Sequence, residues 1–398
     1  MRIGLFTNNY RPLQNGLATS VDSFAQAFRR AGHAVTVVAP RYPDGPGEEP
    51  GVIRVPGWRA PTHHAYVLPA PWWPGLDRKI TGCVFDVFHA QHPFLLGKTA
   101  ARFARRTGRP LVFTYHTRYA QYAHYVPGPA GLVARLALRR ALRFAAQADL
   151  VIAPAPSLAR DLRAQGLTTP IEVVPTGVPL PPAAGPEARH ARRQALGLGP
   201  GNPLCMSVGR LAPEKNLRFL LAAFARILAE MPEARLVLVG DGDDRPRLER
   251  EAADLGIRAS VSFAGGVAQE RVHDYNLAAD LFLFPSTSET QGLVALEALA
   301  AALPVVAVAS KAAGDLLGEG TGGLLTPEDP EAFARTVVTL WGQPDRCRAL
   351  GEAGRRTAAR YTPEVSAARL LELYQGLLVA SRSRALPARA WRSREVHT

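Results

Sequence analysis

Two clusters of residues have the types and spacing to handle a leaving diphosphate. The first is Val208-Gly209-Arg210-Leu211-Ala212-Pro213-Glu214-Lys215-Asn216. It follows a strand-like run, Leu204–Val208, and precedes a helical pattern, Leu217–Ala229. Gly209 permits a tight turn at the strand's end, so Arg210 and Lys215 can both point at one anion. A diphosphate needs such neutralisation as its bond breaks. The second cluster runs Pro285-Ser286-Thr287-Ser288-Glu289-Thr290-Gln291-Gly292-Leu293-Val294-Ala295-Leu296-Glu297-Ala298. Here a strand ends in a Ser/Thr-rich loop and a helix opens at Gly292. The amides of Leu293 and Val294 then lie at a helix N-terminus, a natural anion site. Glu289 falls just before that helix and Glu297 two turns further on. One carboxylate can accept from sugar hydroxyls and the other from a ribose. Surface cations, a capping loop and a solvated helix face remain the plain alternatives.

Weaker signals lie upstream. Asn15-Gly16 sits between the first strand and first helix, where glycine lets backbone approach a phosphate or simply makes a turn. His116, in Thr114-Tyr115-His116-Thr117-Arg118-Tyr119, closes an apolar strand, catalytic or structural. His89 and His92 share an i, i+3 spacing at a strand end, but no carboxylate or cysteine completes a zinc set. Cys83, Cys205 and Cys347 lie far apart, which argues against a disulfide framework or a CxxC metal site and for a reducing, cytoplasmic compartment.

The elements that must position these residues alternate. Strand-like runs at Ile3–Thr7, Ala34–Ala39, Val84–Ala90, Leu111–Tyr115, Leu150–Ala153 and Ile171–Val174 are interleaved with helical patterns such as Leu96–Arg106 and Ser157–Gln165. A Pro-rich break at 178–186 follows. A second series then begins, with strands at Leu204–Val208, Arg235–Val239, Val261–Phe263, Leu281–Phe284 and Val305–Val308. This predicts an α/β protein of two doubly wound Rossmann-like domains facing a cleft. The expected boundaries are 1–180, a linker 181–200 with a short helical stretch at Glu187–Leu196, 201–374 and a fraying basic tail 375–398. The chain's 398 residues suit two domains. No apolar run is long enough to span a bilayer, and the start lacks a signal peptide's pattern.

The net charge of +13 is unevenly placed. Residues 1–180 carry +12 (21 Lys and Arg against 9 Asp and Glu), residues 181–374 carry −3 (21 against 24), and 375–398 carry +4 (5 against 1). An anionic partner for the first half accounts for the asymmetry. Nucleic acid is disfavoured, because the second half is not basic and no nucleic-acid-binding signature occurs.

MRIGLFTNNYRP…NG, VFHAQHPFLLG, FTYHTRY, VVPTGV, VGRLAPEKN and PSTSETQGLVALEALA, in this order, resemble glycosyltransferase family 4, whose members are retaining GT-B enzymes using sugar nucleotides. The Glu-x7-Glu pair, Glu289 and Glu297, is the most specific element, and the resemblance runs to about Tyr374. Tyr115–Tyr125 and Pro175-Thr176-Gly177-Val178 look like the corresponding segments of diacylglycerol glucosyltransferases. Many relatives have Asn where Thr176 stands and two glycines where only Gly16 stands, which weakens a phosphate role for Gly16.

The resemblance implies that the C-terminal domain holds the donor. Val267 would meet the base through its backbone, and Glu297 the ribose. Arg210, Lys215 and the Leu293 and Val294 amides would hold the diphosphate, with Thr290, Gln291 and Gly292 beside it. Glu289 would bind the sugar's hydroxyls and His116 would approach the transferred sugar. No essential metal is expected, since the cations take its place. The acceptor belongs to the N-terminal domain. Lys98, Arg102, Arg105, Arg106 and Arg109 form a basic stripe there, Arg135, Arg139 and Arg143 another, and Trp72-Trp73 could dip into a membrane interface. The favoured reading is hexosyl transfer from a UDP-glucose-like donor to a lipid such as diacylglycerol at the inner membrane face. The alternative is a GDP-mannose-dependent transferase acting on a phosphoinositide or a soluble sugar. Donor base, sugar and acceptor stay open.

Overall fold

The computed structural model describes residues 1–385 except 14, 44, 46, 61–65, 120–128, 183–184, 197–201 and 319. The chain forms two units: 1–177 together with 363 onward, and 178–362.

In the first unit the chain runs β1 (Arg2–Phe6), α1 (Gly16–Arg30), β2 (Ala34–Pro40), β3 (Val52–Val55), β4 (Gly57–Arg59), β5 (Val67–Pro69), α2 (Leu76–Cys83), β6 (Val87–Ala90), α3 (Leu96–Thr107), β7 (Leu111–Thr114), α4 (Ala130–Ala145), β8 (Leu150–Ala153), α5 (Pro156–Ala164) and β9 (Ile171–Val173). Seven parallel strands are ordered β3-β2-β1-β6-β7-β8-β9, and β4 and β5 form a separate antiparallel hairpin. Alternate residues on each strand face opposite layers. Leu111 and Phe113 enter the core shared with α2, α3 and α5, whereas Val112 enters the one beneath α1.

The second unit contains α6 (Pro186–Ala195), β10 (Leu204–Val208), α7 (Leu217–Glu230), β11 (Arg235–Val239), α8 (Arg245–Asp254), β12 (Val261–Gly265), α9 (Gln269–Ala278), β13 (Leu281–Phe284), α10 (Leu293–Ala300), β14 (Val305–Val308), α11 (Lys311–Leu316), β15 (Gly323–Thr326), α12 (Pro330–Trp341) and α13 (Pro344–Ala358). Its parallel order is β12-β11-β10-β13-β14-β15. Both sheets are doubly wound and Rossmann-like. In each the order reverses beside the first strand of the series, opening a crevice at the strands' carboxyl ends.

The last helix, α14 (Pro363–Ala385), corrects the sequence-based boundaries. Residues 363–374 belong to the first unit rather than the second, and the helix extends well past Gly376 instead of fraying there. Ala367, Leu370, Leu371 and Tyr374 are buried in the core beneath α1. The Tyr374 hydroxyl meets His89 Nδ1 at 2.5 Å, while His89 Nε2 meets Thr114 Oγ1 at 2.7 Å. His89 is therefore structural, and burial pushes its pKa down to about 3. The strand expected from Val84 starts only at Val87. Val84 is a left-handed residue (φ 46°) closing α2, and Asp86 accepts from the Arg2 amide at 2.8 Å. Of the expected linker, 185–196 is mostly α6, and Arg193 donates to Asp280 at 2.5 Å, tying it to the second unit. The rest of the tail, 386–398, lies outside the described residues.

Candidate active site

The turn after β10 is fixed by its neighbour after β11. Gly209 N donates to Val239 O at 2.9 Å, and Leu211 N donates to Asp241 O at 3.0 Å. A Cβ at Gly240 would lie 1.9 Å from Gly209 O, so the close backbone approach needs glycine there. Pro213–Lys215 make one 3₁₀ turn, and Asn216 takes the left-handed conformation (φ 58°) before α7. Asn216 Nδ2 donates to Pro285 O at 3.2 Å and to Glu328 Oε1 at 2.7 Å. Ser288 Oγ donates to the Glu214 carbonyl at 2.9 Å. These bonds bind the turn after β10 to the loop after β13. They bring Lys215 into an ion pair with Glu289, while Arg210 pairs with Glu214. Both loops line one pocket, which includes Gly209, Arg210, Lys215, Ser286 and Glu289. It lies where the strand order reverses, between β10 and β13.

Thr290 and Gln291 are half-buried in the loop entering α10, and Gly292 caps that helix at φ 81°. A side chain there would be strained and 3.4 Å from the Phe284 ring. The Leu293 and Val294 amides occupy the helix's first turn, where the helix itself offers no partner. Glu297, further along α10, accepts from Gln269 Nε2 at 2.5 Å. Gln269 opens α9 just after Val267, and Val267 packs on the same core as Leu293 and Val294. Desolvation pushes the Glu297 carboxyl up to about 7, against the smaller opposing effect of the Gln269 bond.

The other two expected residues lie in the first unit. His116, just past β7, contacts Gln91 Oε1 through Nε2 at 2.7 Å. With the amide oxygen accepting, Nε2 carries the proton and Nδ1 keeps its lone pair. Desolvation lowers its pKa to about 3, so the ring is neutral. His92 is likewise neutral, and its Nδ1 accepts from the Asn8 amide at 3.1 Å. Arg118 anchors the segment through Asp161 at 2.6 Å, and the continuation 120–125 lies outside the described residues. Gly16 is the first residue of α1, whose cap is Asn15: Asn15 Oδ1 accepts from Ala18 N at 2.8 Å. One orphan amide of that turn is thus already satisfied from within.

Sequence reasoning missed the residues that hold the expected ones: Glu214, Asn216, Ser288, Gln91 and Gln269. Their signal was adjacency alone, since each stands in or beside a motif. Among the described residues no cluster of three or more His, Cys, Asp or Glu could hold a metal.

The model of glycosyltransferase family 4 matches residues 14–180, and that of glycosyl transferases group 1 matches 188–357. The chain is 32% identical over 365 residues to alpha-monoglucosyldiacylglycerol synthase of Streptococcus pneumoniae, covering 87% of this chain and 79% of that one. It is 31% identical over 390 residues to a GDP-mannose-dependent alpha-(1-6)-phosphatidylinositol monomannoside mannosyltransferase of Mycolicibacterium smegmatis, covering 94% and 98%. The structure of HepE from Anabaena with UDP-glucose matches with a TM-score of 0.75 at 21% identity, covering 94% and 99%. The chain belongs to glycosyltransferase family 4, and is a retaining glycosyltransferase of the GT-B fold.

Proposed function

We propose that this enzyme transfers a hexosyl group from a UDP-glucose-like donor to a diacylglycerol-like lipid at a membrane surface. The observation that carries the donor half is the joining of Arg210, Lys215 and Glu289 at the crevice of the second sheet, beside the N-terminus of α10. Arg210, Lys215 and the Leu293 and Val294 amides stabilise the charge that grows on the departing diphosphate. Thr290, Gln291 and Gly292 line the donor there. Glu289 accepts from the sugar's hydroxyls, Glu297 from the ribose, and the Val267 backbone meets the base. The acceptor hydroxyl attacks the anomeric carbon from the side the nucleotide leaves. Its oxygen bonds to that carbon as the carbon–phosphate oxygen bond breaks, and the leaving phosphate oxygen takes the hydroxyl's proton. No carboxylate base is then required. Neutral His116 suits hydrogen bonding to the transferred sugar, not general acid chemistry. Gly16 has the weaker case, as a close-approach backbone position.

The lipid half rests on the named relatives and on the surface of the first unit. Along α4, Arg135, Arg139 and Arg143 are exposed, together with Leu132 at 53% and Leu136 at 38%. Trp72 is 71% exposed, whereas Trp73 packs on the core beneath Lys79, so only one of the pair can reach an interface. The α3 stripe is weaker than its spacing suggests. Arg102 and Arg106 are paired with Asp77 at 2.7 and 3.6 Å, and Arg109 lies beyond the left-handed Gly108 that ends the helix. Among the described residues no helix is long and apolar enough to cross a membrane.

The test is a screen of UDP- and GDP-hexoses against mixed vesicles carrying diacylglycerol or phosphatidylinositol. We expect UDP-glucose and diacylglycerol to give an α-linked product, with activity kept in excess chelator. Transfer from GDP-mannose to phosphatidylinositol alone would replace the proposal with the mannosyltransferase reading.

A further inference from the structure

We propose that Glu214 is a positioning residue that sets Arg210 for the diphosphate. The inference rests on the reading of Arg210 as a diphosphate ligand. Glu214 is placed more firmly than a surface carboxylate. Its side chain is 7% exposed and pairs with Arg210, which is 31% exposed. Its carbonyl accepts from Ser288 Oγ at 2.9 Å and Ser286 Oγ at 3.5 Å. Asn216, two residues on, holds the Pro285 carbonyl. The backbone of Glu214 is thus pinned from the loop that carries Glu289, and its carboxylate reaches Arg210 across one 3₁₀ turn. A long arginine side chain loses much rotamer freedom when it is used, and a fixed carboxylate can supply that ordering in advance. The same carboxylate also cancels part of the guanidinium's charge. Removing it should have two opposite effects. Arg210 becomes a stronger but looser attraction for an anion, and a poorer stabiliser of charge developing at one point.

Arg210→Ala removes the ligand itself, so it should weaken UDP binding and lower kcat. Glu214→Gln nearly preserves shape and leaves the carbonyl bonds intact. It should lower kcat about 10-fold, the scale of one misplaced electrostatic contact, while UDP binds as tightly as in the parent or tighter. Glu214→Asp, with its charge one methylene short, should recover part of kcat. In the double variant Glu214→Gln should add nothing to the loss caused by Arg210→Ala, because one residue acts through the other. Titration calorimetry with UDP and steady-state donor kinetics on the full chain read all four variants, with thermal melts confirming folding. Losses that multiply in the double variant, or a Glu214→Gln variant with parental kcat, overturn the proposal while the Arg210 reading stands. Near-normal kcat and UDP affinity in Arg210→Ala overturn both.

Discussion

The two units share a strand order and a switch point but present opposite electrostatics there. At the crevice of the second sheet each cation is matched: Lys215 with Glu289, and Arg210 with Glu214. At the corresponding edge of the first sheet the histidines are neutral. His92 and His116 are both held near pKa 3 by desolvation, with Asn8 and Gln91 as partners. The formal charge runs the other way, +12 over residues 1–180 against −3 over 181–374. The first unit's excess therefore belongs to its outer helices, not to its crevice. On the function proposed above, one scaffold would serve two tasks. A charged site suits a diphosphate, while a neutral edge with a basic exterior suits an uncharged hydroxyl delivered from an anionic surface.

The largest expected effect tests the charged crevice. Glu289→Gln and Lys215→Ala should each lower turnover at least about 10²-fold, the scale of losing one transition-state contact. Because the two side chains are ion-paired, the double variant should fall short of the product of the single effects. Near-normal turnover in both folded single variants would remove the site from this crevice.

The next effect tests the first unit's exterior. Each basic residue near an anionic surface is worth on the order of 1 kcal/mol. Replacing Arg135, Arg139 and Arg143 with Gln should then weaken cosedimentation with phosphatidylglycerol vesicles at least about 10-fold. Nucleotide affinity should not change, since the three lie on α4 of the other unit. About 0.5 M salt should release the parent protein as well. Equal binding to neutral and anionic vesicles would assign the asymmetry to composition alone.

Several strands of both sheets were legible because their apolar runs are short and bounded by polar or turn residues. Leu150–Ala153, Leu204–Val208 and Leu281–Phe284 match residue for residue. The hairpin of β4 and β5 was not, because Gly57–Arg59 is exposed throughout and Val67–Pro69 offers only two apolar residues before a proline. For α14, the spacing of Ala367, Leu370, Leu371 and Tyr374 marks a buried face but does not say which sheet covers it. That choice is made by long-range fit, with Tyr374 meeting His89 some 285 positions away in sequence. The site shows the same division. Arg210, Lys215 and Glu289 could be singled out by type, but a glutamate beside a lysine in a loop reads as solvated. Only the folded turn shows Glu214 buried against Arg210.

The smallest effect concerns protonation, and its sign follows from Glu297. Desolvation holds that carboxyl near pKa 7 in the unliganded protein. Ribose hydroxyls donating to it favour the ionised form, so binding should lower its pKa and release a proton. A nucleotide sugar has no phosphate group titrating near neutrality, unlike UDP, and isolates the protein's contribution. Its affinity should fall as pH drops through 7, by about 10-fold between pH 8 and pH 6. Glu297→Gln should bind more weakly at pH 8 but show a nearly flat profile. Stability carries the opposite trend. The unfolded carboxyl ionises near its ordinary value of 4.5 and the folded one only near 7, so the unliganded protein should lose stability as pH rises between them. Glu297→Gln should abolish that part of the slope. Titration calorimetry in two buffers of different ionisation enthalpy would count the released proton. A wild-type profile as flat as the variant's would place the ribose contact elsewhere and leave Glu297 as a partner of Gln269.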